Sequence, residues 1–219
     1  MAISLDRKTP GVFGIIFGAA LSIALGALLA VFHLASQPVE IVTEAPKEPA
    51  EGVRYFIKGE APKDSARTLE RKRDSLLNDG AEVSFTEGEL NAWSTETFKP
   101  TVVEESEKAG TVMIVAGRPN FRFVDKELQL GMDNELVFFG KTAPLVLQGR
   151  GGFERVGEKL SFKPTEAYFG GLPLHRLPPG VMEAVAKRFL PSPPDELASV
   201  LTRASAIGVA DGQLVVRLR

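Results

Sequence analysis

Hydrophobic positions are distributed along this chain in two different ways. Residues 11–35 contain no charged side chain, whereas the apolar residues of the later part are interspersed with polar ones. Because an α-helix rises about 1.5 Å per residue, roughly 20 apolar residues span the hydrocarbon core of a bilayer. The pattern predicts a transmembrane helix over 11–35, preceded by a tail at 1–10 and followed by a Pro/Glu-rich linker at 36–53 and a water-facing domain at 54–219.

The charges on the two sides of the predicted span differ in sign. Arg7 and Lys8 precede it, whereas Glu40, Glu44 and Glu48 follow it. Since positive charge is retained on the cytoplasmic side of a membrane, we expect the N-terminus inside and the main domain outside. A cleaved signal peptide is the alternative. Its apolar core would be only about 7–15 residues long, so the length favours an uncleaved single-pass anchor.

Small residues recur at every fourth position of the predicted span. They are Gly14, Gly18, Ser22, Gly26 and Ala30. Residues four apart share one face of a helix, and a face of small residues lets a second helix approach closely in lipid. We therefore expect a helix–helix contact, either with a second copy or with another membrane protein. The alternative is that small residues are simply common in spans.

Helical signals open the outer domain. The stretch from Pro62 to about Asn78 has a proline at its start and an apolar stripe, which predicts a helix. Thr86 and Glu89 have the spacing of a capping box, which predicts a second helix that carries Trp93. We expect Trp93, the only tryptophan, to pack in the core, with a position in the wall of a ligand pocket as the alternative.

The period changes to about two between Thr111 and Leu174, which predicts half-buried antiparallel strands. Leu136–Phe139 breaks the alternation and offers apolar side chains to both faces. The glycine-rich run at 149–152 lacks the Lys-Ser/Thr of a phosphate loop, so we expect a bend or bulge there.

Further helices and a hairpin close the predicted domain. One helix should begin at Pro178-Pro179 and pass through Phe189, and another should cover Asp195 to Arg203 with Asp195 as its cap. Asp211-Gly212 predicts a tight hairpin turn near the end. The predicted fold class is α+β: a transmembrane helix, then a curved, mainly antiparallel sheet packed with three to four helices.

Candidate chemistry is sparse. The chain has no cysteine, and His175 is the only histidine of the outer domain. There is no G-x-S-x-G or H-E-x-x-H motif. Carboxylate neighbours such as Glu104-Glu105 lie in a charged stretch that we expect to be solvated, without the burial that splits pKa values. A net charge of −2 does not favour a nucleic-acid partner. We expect no enzyme activity, no catalytic residues, no metal and no cofactor.

The order of elements, with the segments Phe85–Trp93 and Gly170–Pro179, resembles that of single-span bacterial envelope proteins whose outer domains are of the tubular lipid-binding (TULIP, bactericidal/permeability-increasing-like) type. That resemblance implies a twisted antiparallel sheet wrapped on a helix, with an apolar groove able to take an acyl chain. It also implies a periplasmic domain on the bacterial inner membrane, and it carries no catalytic residues.

These observations lead to one main expectation, a non-enzymatic envelope domain that binds membrane lipid or another apolar ligand. The candidate groove residues are Trp93, Leu136, Phe138, Phe139 and Phe169. The alternative is an accessory or scaffold subunit of a membrane protein complex, recruited through the small residues of the span.

Overall fold

The structure is a computed structural model that describes residues 12–61, 66–78, 82–99, 101–104, 112–138, 141–178, 180–190 and 194–219. Its helices are α1 (Val12–Ala35), α2 (Ala66–Leu77), α3 (Glu87–Thr97), α4 (Val181–Phe189) and α5 (Asp195–Arg203), with a 3-10 turn at Leu174–Arg176. Its strands are β1 (Val39–Val42), β2 (Arg54–Ile57), β3 (Glu82–Phe85), β4 (Thr101–Glu104), β5 (Val112–Ala116), β6 (Pro119–Val124), β7 (Glu127–Phe138), β8 (Lys141–Val156), β9 (Lys159–Phe169), β10 (Leu172–Pro173), β11 (Ala204–Ala210) and β12 (Gln213–Leu218). The predicted α+β class, with an N-terminal apolar helix and mostly antiparallel sheets, is confirmed.

Helix α1 stands apart from the rest of the fold. It is long and apolar enough to cross a membrane, the one such helix in the part of the chain that is described. None of its residues is buried, and only Leu34 and Ala35 at its end are partly covered. An apolar helix exposed on every face is what a membrane span requires.

The predicted linker contains regular structure, which corrects the expectation for 36–53. Strand β1 lies within it and pairs in parallel with β2, with Val39 opposite Arg54 and Val42 opposite Ile57. Four residues among prolines and glutamates give too short a pattern to reveal a strand, and its partner lies beyond a long connection.

The large sheet has seven strands among the described residues: six lie in the order β10-β9-β8-β7-β5-β4, and β6 pairs with β7 outside this order. Strand β7 is shared: its first half pairs with β6 and its second half with β5, both antiparallel. The edge of the sheet therefore changes from β6 to β5 at Gly117 and Arg118. A Cβ on Gly117 would lie 2.1 Å from the Asp133 carbonyl oxygen, so only glycine allows this close approach.

The two faces of the sheet carry different layers. On one face, Phe56 of β2 is fully buried against Gly131, where a Cβ would overlap its ring. On the other face lie the helices and a second, three-stranded sheet in the order β11-β12-β3. Alternation along β7 explains the division, because Gly131 and Leu130 point to opposite faces.

Two apolar clusters hold the layers together. The larger one joins α2, α3, α5 and the three-stranded sheet through Leu69, Leu76, Phe85, Leu90 and Val200. The smaller one lies at the end of β9 and includes buried Leu147, Ala167, Leu172 and Leu174. Leu34 and Ala35 pack against this second cluster, so the end of α1 contacts the folded domain directly.

Most local predictions agree with the structure. Asp211 and Gly212 have φ angles of 50° and 70° at the turn between β11 and β12, as an Asp-Gly hairpin requires. The register of β8 against β9 shifts between Arg150 and Gly151, which confirms the bulge in the glycine-rich run. The predicted helix start at Pro62 lies outside the described residues. Within them, α2 begins at Ala66.

One local prediction is wrong. Asp195 is not a cap, since Pro194 occupies the N-cap position and no side chain caps α5. Glu104 ends strand β4, which pairs with β5, whereas Glu105 lies outside the described residues, so the expected exposure of this carboxylate pair stays a prediction.

Candidate ligand cavity

A cavity of about 340 Å³ lies between the large sheet, the three-stranded sheet and helices α2, α3 and α5. Its lining is almost entirely apolar. The side chains that define it include Leu90, Trp93, Phe121, Leu128, Leu130, Phe153, Phe162, Leu197, Leu201 and Ile207. Pockets that hold small ligands usually measure about 300–1,000 Å³ and are lined in this way. The chain therefore leaves an apolar space of ligand size inside its larger cluster.

Local geometry brings Trp93 to the wall of this cavity. Thr86 accepts the Glu89 N–H and Glu89 accepts the Thr86 N–H, so the predicted capping box forms and fixes the start of α3. Trp93 lies two turns later, with its ring 5.7 Å from that of Phe85 and partly exposed. The structure thus combines both interpretations of Trp93, because it packs on the core cluster and lines the cavity.

Charged side chains border the cavity on its solvent side. Arg73 of α2 pairs with Glu96 of α3, with 3.5 Å between Nη1 and Oε2, and with Glu196 of α5, with 3.7 Å between Nη2 and Oε2. Its guanidinium carbon is 5.4 Å from the centre of the Trp93 ring. The Arg73 side chain is 31% exposed and that of Glu196 is 59% exposed. This ion pair connects α2 to α5 across the border.

The opposite side of α3 makes polar contacts that the sequence analysis missed. Asn91 is only 6% exposed, and its Nδ2 donates to the carbonyl oxygens of Phe121 and Glu60 at 2.9 and 3.0 Å. Its Oδ1 accepts the Phe121 N–H at 2.7 Å. Glu87 accepts the Phe123 N–H, and Ser94 donates to the Pro119 carbonyl oxygen.

These three side chains cover the free edge of β6. Residues 87, 91 and 94 lie on one face of α3, and residues 119, 121 and 123 alternate along the strand. The helix therefore satisfies strand groups that would otherwise be open to pairing with another chain. Only the spacing of Glu87, Asn91 and Ser94 hinted at this role.

Among the described residues near the cavity, only Glu89 has a pKa that departs from its ordinary value. Burial favours the neutral carboxyl, but hydrogen bonds from Lys72 and from the Thr86 N–H, with the charge of Lys72, hold the pKa of Glu89 below its ordinary value of 4.5. Lys72 Nζ lies 2.7 Å from Glu89 Oε2. The pair ties α2 to the first turn of α3, on the frame of the cavity.

The structure separates the residues that were predicted to form one groove. Trp93 lines the cavity, whereas Phe169 packs in the second cluster with its ring 4.9 Å from that of Phe189. Leu136 is half-buried in the second half of β7, away from the cavity. Only the backbone of Phe138 is described, and Phe139 lies outside the described residues. The predicted groove is therefore corrected: strand register places Leu136 and Phe169 on other parts of the sheet.

The remaining candidates have simple structural surroundings. His175 stacks edge-on against Tyr168 at 5.1 Å, and its Nδ1 lies 3.1 Å from the Ala167 carbonyl oxygen. No group of His, Asp and Glu suited to a metal ion occurs among the residues that were described. The predicted small-residue positions all lie within α1, where Gly18 and Gly26 have open space around them.

Comparison of the chain with protein families, with curated proteins and with solved structures found no match. The resemblance to tubular lipid-binding envelope proteins thus stays a prediction.

Proposed function

We propose that this chain is a non-enzymatic, membrane-anchored domain that binds one acyl chain, or another slender apolar ligand, in the cavity behind Trp93. The observation that carries the proposal is the cavity itself, about 340 Å³ of space lined almost wholly by apolar side chains. Apolar space that is left unfilled loses packing contacts, and an apolar ligand restores them.

The size of the cavity limits the ligand. Its volume lies near the lower end of the range of about 300–1,000 Å³ that is common for ligand pockets. A single chain suits this volume better than a lipid with two chains buried at full length. The border formed by Arg73 and Glu196 is charged and partly exposed, so the polar end of the ligand would remain on that side in water.

Photocrosslinking tests the proposal on the full chain in a bilayer. A fatty acid with a diazirine in its chain is added and activated, and the adducts are mapped by mass spectrometry. We expect adducts on cavity residues such as Phe121, Leu130 and Ile207. Leu130→Phe should reduce them at least threefold because the larger ring occupies the same space.

Val156→Phe is the matched control, since Val156 is 65% exposed and lies in β8 away from the cavity. It should leave the adduct pattern unchanged. Adducts confined to α1, or a pattern that a folded Leu130→Phe variant does not alter, would contradict binding in the cavity.

The proposal also includes an orientation. The charges that flank α1 favour an inner N-terminus and a periplasmic main domain on a bacterial inner membrane. Protease added to intact spheroplasts should then digest the main domain and leave a tag on residues 1–10 protected. Protection of the whole chain would reverse the orientation.

A second candidate function is that of a scaffold subunit recruited through α1. The observation that favours it is the open space around Gly18 and Gly26 on a helix with no buried residue. Replacing α1 with polyleucine and purifying in mild detergent tests it. Unchanged co-purifying proteins and oligomeric state would remove the basis for this function, which lipid binding does not need.

A further inference from the structure

The end of α1 is seated on the domain at Gly170 and Gly171. A Cβ on Gly170 would lie 2.0 Å from the Ala35 carbonyl oxygen, and one on Gly171 would lie 2.7 Å from that of Leu34. Gly170 also has a φ of +58° and donates its N–H to the Val146 carbonyl oxygen at 2.8 Å. If α1 spans a membrane, this seat places the neighbouring surface of the domain at the bilayer.

Three cations lie on elements next to the seat. Arg54 lies opposite Val39, four residues after the end of α1 and hence within about 14 Å along the chain. Arg176 ends the 3-10 turn that follows β10. Lys187 lies on α4, whose Met182, Val185 and Phe189 pack on the same cluster as Leu34 and Ala35.

The three side chains have no carboxylate partner within the described part of the chain. Lys187 and Arg176 are exposed. Arg54 stacks on Tyr168, with its guanidinium carbon 3.6 Å from the ring centre, and Tyr168 in turn contacts His175. Some cations elsewhere are paired, such as Lys58 with Asp133, whose Nζ and Oδ2 lie 2.7 Å apart.

Acidic side chains in this region neutralise only part of the positive charge of the three cations. Glu183 lies one turn before Lys187 on α4 and is exposed. Glu40 follows Val39, so it projects to the side of the ribbon opposite Arg54. A tyrosine and several cations next to the end of a membrane helix are the composition that interacts with lipid headgroups.

We propose that Arg54, Arg176 and Lys187 form a basic collar that binds anionic phospholipid headgroups of the leaflet where α1 ends. The collar rests on the membrane anchoring proposed above, but it needs no ligand in the cavity. It holds the domain against an anionic bilayer, and each cation near such a surface strengthens the contact by about fivefold.

The experiment uses the full chain in nanodiscs, and the absence of cysteine allows a single label. A fluorophore is attached at Ala184→Cys on the exposed side of α4, and quenching by spin-labelled headgroups is measured. We expect at least twofold stronger quenching with about 30% phosphatidylglycerol than with phosphatidylcholine alone. Salt at 0.5 M, about three times the physiological ionic strength, should reverse the increase through screening.

A label at Glu158→Cys serves as the distance control. Strand β9 runs from Lys159 to the seat, so this label lies roughly 33 Å away and should respond little to lipid charge. Arg54→Gln, Arg176→Gln and Lys187→Gln together should abolish the increase at position 184. Changing Lys126, Lys159 and Lys163 to Gln, in the half of the sheet away from the seat, should preserve it.

A charge-conserving variant guards against misfolding, since Arg54→Lys with Arg176→Lys should keep the increase. Equal quenching in both lipid compositions, or equal loss in the two triple variants, would overturn the collar. Failure of the chain to integrate into nanodiscs would overturn the collar and the anchor together. An empty cavity would contradict the proposed ligand but leave these results unaffected.

Discussion

The two long sides of helix α3 differ in how closely they contact their neighbours, one side being polar and the other apolar. On one side, Glu87 and Asn91 use their hydrogen-bonding groups to close the edge of β6. On the other side, Leu90, Trp93 and Thr97 face a cavity. The polar side forms hydrogen bonds with the strand, whereas the apolar side leaves an unfilled space between itself and its neighbours.

The difference follows from what each kind of group loses when it has no partner. A buried N–H or carbonyl without a hydrogen bond costs about 1–3 kcal/mol, so such groups are matched one by one. An apolar wall without a neighbour loses only dispersion contacts, which many atoms share. The residues that form the hydrogen bonds of the polar side must therefore be specific ones. The apolar side can leave space that a ligand fills.

The largest expected effect comes from breaking the polar side. Asn91→Ala leaves the Phe121 N–H and two carbonyl oxygens without their partner, so we expect a loss of about 3 kcal/mol in the free energy of unfolding, measured with urea. Thr95→Ala is the control, because Thr95 is exposed and bonds only within the helix. A loss below about 1 kcal/mol at Asn91 would contradict the role of this edge.

The next effect comes from the cavity side. Trp93→Ala should cost about 2 kcal/mol, less than the roughly 3–5 kcal/mol of a fully buried aromatic residue, because the ring is partly exposed. It should also weaken apolar-ligand crosslinking in the cavity, which Asn91→Ala need not do in the folded fraction. Thermal melts and adduct mapping on the two variants distinguish the contributions of the two sides of α3 to stability and to ligand binding. Unaltered crosslinking in Trp93→Ala would remove this residue from the site.

A smaller effect concerns the ion pair that ties α2 to α3. Lys72→Met removes the charged hydrogen bond to Glu89 and should cost about 1.5 kcal/mol at pH 7. Since the folded pKa of Glu89 is below 4.5, its contribution is present above that pH and is lost as pH falls through the folded pKa. Without Lys72, the decline in stability between pH 5 and pH 2 should be shallower. An identical decline would contradict this coupling.

The smallest effect concerns the start of α3, which both sides share. Thr86→Ala removes the hydroxyl that accepts the Glu89 N–H and should cost on the order of 1 kcal/mol. Crosslinking in the cavity should stay unchanged at temperatures where the domain is folded. Thr86→Ser, which keeps the hydroxyl, should restore most of the lost stability. A selective loss of crosslinking in Thr86→Ala would assign this residue to the site.

Features that depend on neighbours in sequence were predictable. The capping box requires only Thr86 and Glu89, and the hairpin turn requires only Asp211 and Gly212. The apolar run of α1 was similarly evident, because every face of that helix is apolar. Local propensity and tertiary structure agree at these places.

Features that depend on distant partners were not predictable. The role of Asn91 exists only because β6 lies beside α3, 30 residues further along the chain. Trp93 and Phe169 are both aromatic residues beside apolar neighbours, yet strand register puts one at the cavity and the other in the second cluster. A cavity is the space between elements, and no single segment encodes it.

The seat of α1 on Gly170 and Gly171 has a mechanical consequence. A domain that is attached through a flexible linker reorients freely, so its orientation is independent of that of the helix. Here the last turn of α1 meets the backbone of the domain, with no room even for a methyl group between them. We therefore expect a tilt of the helix, or a rotation about its axis, to be transmitted to the domain.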